Sequence, residues 1–272
     1  MTQPRQTAAP VAILSDFGYR DHYAGVMRGV IATNAPNSPI IDITHGIPPQ
    51  SVIAGAIALR ESWRFFPERT VFLVVVDPGV GTERLPIAIE TRAGARFVGP
   101  DNGVMALAAH EAEIVRAVRI DISRFPNASA TFHGRDIFSP AAASLALGTP
   151  LLRLGPALER IHPLSLPKLV VSRSAIRGEV LYIDAFGNLV TNISRDDIAR
   201  LQSSFPGKQV SVRIETGASM AIFNTYGDAP VGAILATFGS FELLEIAVRD
   251  GNAAERLGCR VGAAVHARVA RS

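Results

Sequence analysis

Apolar residues fall in short runs whose period changes along the chain. Val11 to Leu14 is an unbroken apolar run ending in Ser15-Asp16-Phe17-Gly18, and Tyr23 to Ala32 reads as a helix. The pattern repeats with Ile40 to Ile43 as a strand, Ser51 to Arg60 as a helix, and Val71 to Val76 as a buried strand that breaks at Asp77-Pro78-Gly79. Pro86 to Glu90 and Arg96 to Val98 read as two further strands, and Ser139 to Leu147 as an apolar helix. Strands alternating with helices predict an α/β domain with a central, largely parallel sheet.

The rhythm changes near His162-Pro163-Leu164-Ser165-Leu166-Pro167, where closely spaced prolines disfavour helix. The domain boundary is expected near residues 163 to 175, with an α/β domain over 1–165 and a smaller β-barrel-like domain over 174–272. Its predicted strands are Arg177 to Ile183, Leu189 to Ile193, Gln209 to Ile214, Ala233 to Phe238, Leu243 to Val248 and Ala263 to Val269, separated by Gly-, Asn- and Asp-containing turns.

The chain has 272 residues, 48% of them hydrophobic, ample for a conventional core. Its formal net charge is +3, and arginines and carboxylates are interspersed, so nucleic acid is not the expected partner. Val71 to Val76 is too short to cross a bilayer and the N-terminus has no apolar signal core, so no membrane span or export is expected. Cys259 stands alone, which rules out an intramolecular disulfide and fits a reducing cytoplasm.

Polar residues gather where the apolar runs end. Asp16, Asp21 and His22 follow the first strand; this set suits binding of vicinal hydroxyls, a metal, or capping of the next helix, with Asp21 the better placed as a cap and Asp16 as a ligand contact. Asp16-Phe17-Gly18 also spells a kinase motif, but too few residues precede it to hold the other kinase elements. The loop Asp77-Pro78-Gly79-Val80-Gly81-Thr82-Glu83-Arg84 offers a carboxylate at the mouth of a buried strand and glycines that let backbone approach a ligand; equally, it is a glycine turn in which Asp77 pairs with Arg84. It completes neither a dinucleotide fingerprint nor a phosphate loop.

Thr131-Phe132-His133-Gly134-Arg135-Asp136 precedes a Ser139-Pro140 helix start, so Asp136 is open to a simple helix-end role, while His133 titrates near neutrality. Asp101-Asn102-Gly103 is a turn signal. In Asp184-Ala185-Phe186-Gly187-Asn188 a carboxylate, an aromatic ring and an amide share one turn, which suits stacking on a purine and reading its edge.

Taken together, Ser15-Asp16-Phe17-Gly18, Val76 to Thr82, Gly99 to Gly103, His133 to Asp136 and Phe186-Gly187-Asn188 resemble the S-adenosylmethionine hydrolases, or SAM hydroxide adenosyltransferases, which are related to the fluorinases and chlorinases. The resemblance spans nearly the whole chain. It implies an α/β domain followed by a β domain, a homotrimer with substrate between the first domain of one subunit and the second of the next, and hydrolysis of S-adenosylmethionine to adenosine and L-methionine without a cofactor or metal. By the same resemblance Asp77, Arg84 and His133 form the water-activating set, Asp16 grips the ribose hydroxyls, Asp184 the methionine amine, and Phe186 and Asn188 the adenine.

Ser240 to Ala247 resembles the family's late substrate-binding strand and brings in Ser240 and Glu245, but Phe241 and Glu242 stand where less bulk and a glycine are expected. In the fluorinases a tyrosine replaces Asp77, with a threonine close behind. Here Asp77 repels a halide, Val80 offers it no hydroxyl, and the segment from Gly81 to Gly99 is shorter.

The expected mechanism has Asp77 and His133 orienting a water and accepting its proton, with Arg84 keeping Asp77 ionised. The alternatives are a halide-dependent adenosyltransferase, a metal-dependent hydrolase built on Asp16, Asp21, His22 and Asp136, and a non-catalytic adenosyl sensor.

Overall fold

A computed structural model describes residues 8–215, 217 and 219–269. The chain divides into two compact units between Ser165 and Leu166.

The first unit contains β1 (Val11–Ser15), α1 (Tyr23–Asn34), β2 (Ile40–Thr44), α2 (Val52–Ser62), β3 (Val71–Val75), β4 (Pro86–Thr91), β5 (Arg96–Pro100), α3 (Ala106–Glu111), β6 (Ile114–Arg119), α4 (Ser139–Ala146) and β7 (Ala157–Leu158). Its sheet has the order β2-β1-β3-β5-β4-β6-β7. The first four strands in that order pair in parallel, with Val11 opposite both Ile40 and Val71 and Val71 opposite Arg96.

Every residue of β1 and β3 is buried. Val11, Ile13, Leu73 and Val75 share a cluster with Met27 and Ile31 of α1 and Ala141 and Leu145 of α4. The intervening Ala12, Leu14, Phe72 and Val74 are also buried, so the other face must be covered too, and α2 packs against β1 there. This double covering is why the two strands read as continuous apolar runs, and it leaves their C-terminal ends as the places where polar side chains emerge.

From β4 onward the sheet turns antiparallel. The connection from Thr91 to Arg96 is too short for a parallel crossover and forms a hairpin. The turn at Asp101-Asn102 supports the sheet centre: Asn102 donates from Nδ2 to the Val76 carbonyl (2.8 Å), directly before Asp77.

The second unit contains β8 (Val170–Val171), β9 (Ala175–Ile183), β10 (Leu189–Ser194), α5 (Arg195–Ser203), β11 (Val210–Ile214), β12 (Met220–Ala221), β13 (Ile234–Phe238), β14 (Leu243–Val248), α6 (Ala253–Leu257) and β15 (Ala264–Val269). The sheet order is β12-β11-β15-β9-β10-β14-β13, antiparallel throughout, with β8 on the flank of β9. A bridge from Ile222 to Ala236 of β13 brings the two ends together, so the sheet is nearly a closed barrel. Val212, Ile214, Val180, Ile246 and Val265 fill it, and Ile198 and Leu201 of α5 join the same core.

The strand pattern did not anticipate α5, but its start is chemically explicit. Ser194 accepts from the Asp197 backbone and Asp197 reaches back to the Ser194 N–H, a reciprocal capping box. Replacing Ser194 by Ala leaves the Asp197 N–H without its acceptor and is expected to cost about 1 kcal/mol, with Ser194→Asp close to wild type, as read by denaturant unfolding.

Candidate functional site

The first unit has a cavity of about 300 Å³ at the C-terminal ends of β1 and β3, lined by Asp16, Phe17, Gln50, Asp77, Phe132 and His133 among others. Asp77 follows β3 two residues past its end, and Arg84 returns to it at the close of the glycine loop. The guanidinium binds the carboxylate with two hydrogen bonds, Nε to Oδ1 at 2.9 Å and Nη2 to Oδ2 at 2.5 Å. Both side chains are deeply buried, at 8% and 6% exposure for Arg84 and Asp77. The same Nη2 lies 2.7 Å from His133 Nδ1, and the guanidinium sits 5.2 Å over the Phe138 ring. Asp77 therefore does pair with Arg84, and the pair belongs to a three-residue constellation with His133.

That geometry fixes the histidine tautomer. A guanidinium has no lone pair to offer, so His133 Nδ1 accepts, and the neutral ring carries its proton on Nε2. Burial holds the His133 pKa below its ordinary 6.5, and the Arg84 charge pushes in the same direction, against the opposing pull of Asp77 and Asp136.

Local backbone explains the placement. Gly81 has φ of +76°, and a Cβ on it would stand 2.9 Å from the Ala130 carbonyl, so the glycine lets the loop close on the chain just before His133. The room it provides is used by the protein itself, where the sequence suggested a ligand. His133 sits at the start of a π-helical turn, Gly134–Phe138, that runs into α4.

Asp16 accepts a hydrogen bond from the Gln50 N–H at 2.7 Å. Burial raises its pKa above 3.8, and the Asp77 charge adds to the rise against two backbone hydrogen bonds. Gln50 holds φ of +64° to make this contact. Nothing beyond its position after Pro48-Pro49 signalled it in the sequence. Phe17 and Phe132 meet edge to face, ring centres 5.8 Å apart, as the aromatic wall of the cavity.

Two other members of the first acidic cluster do not join. Asp21 is exposed and is not a cap: the N-cap of α1 is His22, which makes no side-chain capping bond and stacks on Tyr23. Asp136 is held below its usual range by its Arg135 partner and accepts the Ser129 N–H. Among the described residues no group of three or more His, Cys, Asp or Glu side chains gathers as metal ligands.

The second unit has its own cavity, of about 970 Å³, lined by Asp184, Phe186, Asn188, Tyr226, Ser240 and Glu245 among others. Asp184 organises the turn: Oδ1 accepts from the Phe186 and Asn188 backbones and Oδ2 from the Asn188 side chain, each at 2.9 Å. Phe186 is thereby left 78% exposed, an aromatic face with no cover of its own. Glu245 on β14 accepts from the Tyr226 hydroxyl at 2.5 Å. Burial, with the Asp184 charge adding to it, raises the Glu245 pKa above 4.5 in spite of that bond. The Glu245 carboxylate occupies the room left by Gly239, where a Cβ would fall 1.9 Å from Oε1. Tyr226 was not singled out from the sequence, where it is a lone tyrosine in a polar turn.

Glu242, found where a glycine was expected, adopts the glycine-like φ of +64°. It is tied down by the Arg195 side chain and accepts the Arg195 N–H at 2.8 Å, while Arg195 stacks 4.3 Å over Phe238. Phe241 keeps 40% exposure beside the cavity.

Comparison with known proteins finds relatives that span both units. The profile of the SAM hydroxide adenosyltransferase N-terminal domain matches residues 11–155, and that of the C-terminal domain matches residues 178–266. An (R)-S-adenosyl-L-methionine hydrolase from Thermus thermophilus is 40% identical over 262 residues, covering 93% of this chain and 97% of the relative. Its counterpart from Salinispora tropica is 37% identical, covering 93% and 95%. A fluorinase from an Actinoplanes species is 29% identical, covering 75% and 77%. Among solved structures, an uncharacterized conserved protein from Thermotoga maritima superposes with a TM-score of 0.85 at 38% identity, covering 95% of this chain and 99% of that one. The chain belongs to the SAM hydroxide adenosyltransferase family.

Proposed function

We propose that this protein is an enzyme that hydrolyses S-adenosyl-L-methionine to adenosine and L-methionine by attack of water at C5′, using no cofactor or metal. The observation that carries this reading is the buried Asp77–Arg84–His133 constellation. A sulfonium is a good leaving group and needs no acid; the rate depends on a water held in line with the C5′–S bond. The carboxylates of Asp16 and Asp77 line one cavity, which suits a cationic substrate.

The tautomer divides the labour. His133 presents Nε2–H as a donor to the water oxygen, and Asp77 accepts the water proton as the new C–O bond forms. Arg84 holds both in register and balances the carboxylate charge. Asp16 binds the ribose diol, Phe186 stacks on adenine with Asn188 at its edge, Asp184 and Glu245 face the methionine ammonium, and Ser240 its carboxylate.

The two cavities are brought to one substrate by homotrimerisation, each site combining the first unit of one copy with the second unit of its neighbour. Among the described residues no helix is long and apolar enough to cross a membrane, and with a single cysteine the protein suits the cytoplasm.

Asp77→Asn is expected to lower kcat by about 10²- to 10⁴-fold, the usual range for a lost general base, with a smaller change in KM. In ¹⁸O water the label should enter the 5′-hydroxyl of adenosine, and added chloride or fluoride should give no 5′-halo product. A preference for halide would instead assign the chain to the halogenating branch, and binding without turnover would make it a sensor.

Because the His133 pKa lies below 6.5, the ring is neutral and competent above that value. Activity should therefore fall as pH drops through a midpoint below 6.5, and His133→Gln should abolish that limb of the kcat/KM profile. Mixing inactive Asp77→Asn and Phe186→Ala chains should restore activity through hybrid trimers, and native mass spectrometry should show a trimer.

A further inference from the structure

His45 is a fully buried histidine that the proposed chemistry does not use. It lies just beyond β2, with no exposed surface, and its Nδ1 is 2.6 Å from the Ser15 hydroxyl at the end of β1, also fully buried. Ser15 Oγ also accepts the Phe17 N–H at 3.4 Å, and it donates its own proton to His45 Nδ1 in the tautomer that carries the ring proton on Nε2. Nε2 lies 3.3 Å from Asp42 Oδ1, poorly aligned for a hydrogen bond but near enough to favour that tautomer. Asp42 is anchored by Arg28 of α1 at 2.5 Å.

A serine, a histidine and an aspartate in a row invite comparison with a hydrolytic triad. The comparison fails on two counts: the hydroxyl is sealed from substrate, and the ring nitrogens are used in reverse order. What the network encloses is the loop carrying Asp16. The His45 ring holds Ser15, before Asp16, while the His45 carbonyl accepts the Gly18 N–H at 2.7 Å, after it. The segment leaving His45 then delivers Gln50, in its left-handed conformation, whose N–H meets Asp16 Oδ2. Asp16 is thus fixed from both sides of its own loop and at its carboxylate, and all three restraints run through the chain from His45 to Gln50.

We propose that His45, through Ser15, is a positioning residue that sets the aim of the Asp16 carboxylate and so determines recognition of a vicinal ribose diol. The inference rests on the reading of Asp16 as the diol ligand.

The test measures inhibition of hydrolysis by adenosine and by 2′,3′-dideoxyadenosine, which differ only in the diol. In wild type the ratio of the two inhibition constants should be about 10 or more, in keeping with charge-assisted hydrogen bonds to the hydroxyls. Asp16→Ala should bring it near 1. Ser15→Ala and His45→Ala should lower it at least fivefold and raise KM, leaving kcat within about threefold because Asp77, Arg84 and His133 are untouched. His45→Asn, whose amide can still meet Ser15, should recover much of the ratio.

Wild-type discrimination in Ser15→Ala and His45→Ala, or equal weakening of both inhibitors, overturns the inference while leaving Asp16 in place. Unchanged discrimination in Asp16→Ala removes the diol assignment itself and the inference with it. Ser15→Ala deletes a single oxygen, so it decides the matter even if His45→Ala fails to fold.

Discussion

The Arg84 guanidinium is the interaction on which the site depends. One buried side chain neutralises Asp77, selects the tautomer of His133 and packs on Phe138. Taking two charges out of water is costly, and losing one partner of such a pair typically costs about 3–5 kcal/mol because the other charge is stranded. Arginine suits this double role through its fork geometry, since two parallel hydrogen bonds fix the carboxylate plane while a third contact remains for the imidazole. The glycine loop from Asp77 to Arg84 is the connection short enough to return the cation to the strand end it has just left.

The second unit supports a different kind of binding. Its cavity is wide, its aromatic ring is exposed, and its carboxylates are braced by turn hydrogen bonds and a tyrosine. Such a surface suits a large, flat, partly cationic ligand. The first unit's smaller cavity, with its aromatic wall and buried ion pair, suits a reacting centre from which bulk water is excluded. In the proposed reading the parallel sheet holds the ribose and the attacking water, and the barrel holds the adenine and the methionine end.

Much of this was legible because parallel strands covered on both faces leave an unmistakable apolar run, as at Val71 to Val75, and polar residues cluster where such runs stop. The antiparallel half of the sheet was less visible: strand direction is not carried by periodicity, and only the brevity of the Thr91–Arg96 connection betrays it. The polar helix Arg195–Ser203 escaped a search for apolar stripes, since two buried residues, Ile198 and Leu201, suffice to seat it. Asp21 looked like a cap by residue type, yet the chain enters α1 at His22. Gln50 and Tyr226 act through a backbone N–H and a distant carboxylate, and neither leaves a mark in local sequence.

The π-helical turn from Gly134 to Phe138 carries one residue more than an α-turn would need, closed by both the N–H and the hydroxyl of Ser139 on the Gly134 carbonyl. Removing that residue would regularise the helix at the expense of phase. Everything N-terminal to it would rotate by about 100° about the helix axis, carrying His133 away from Arg84. The surplus residue acts as a phase setting for the imidazole, so single-residue deletion here should be poorly tolerated for a reason beyond the burial of Ile137 and Phe138 in the core.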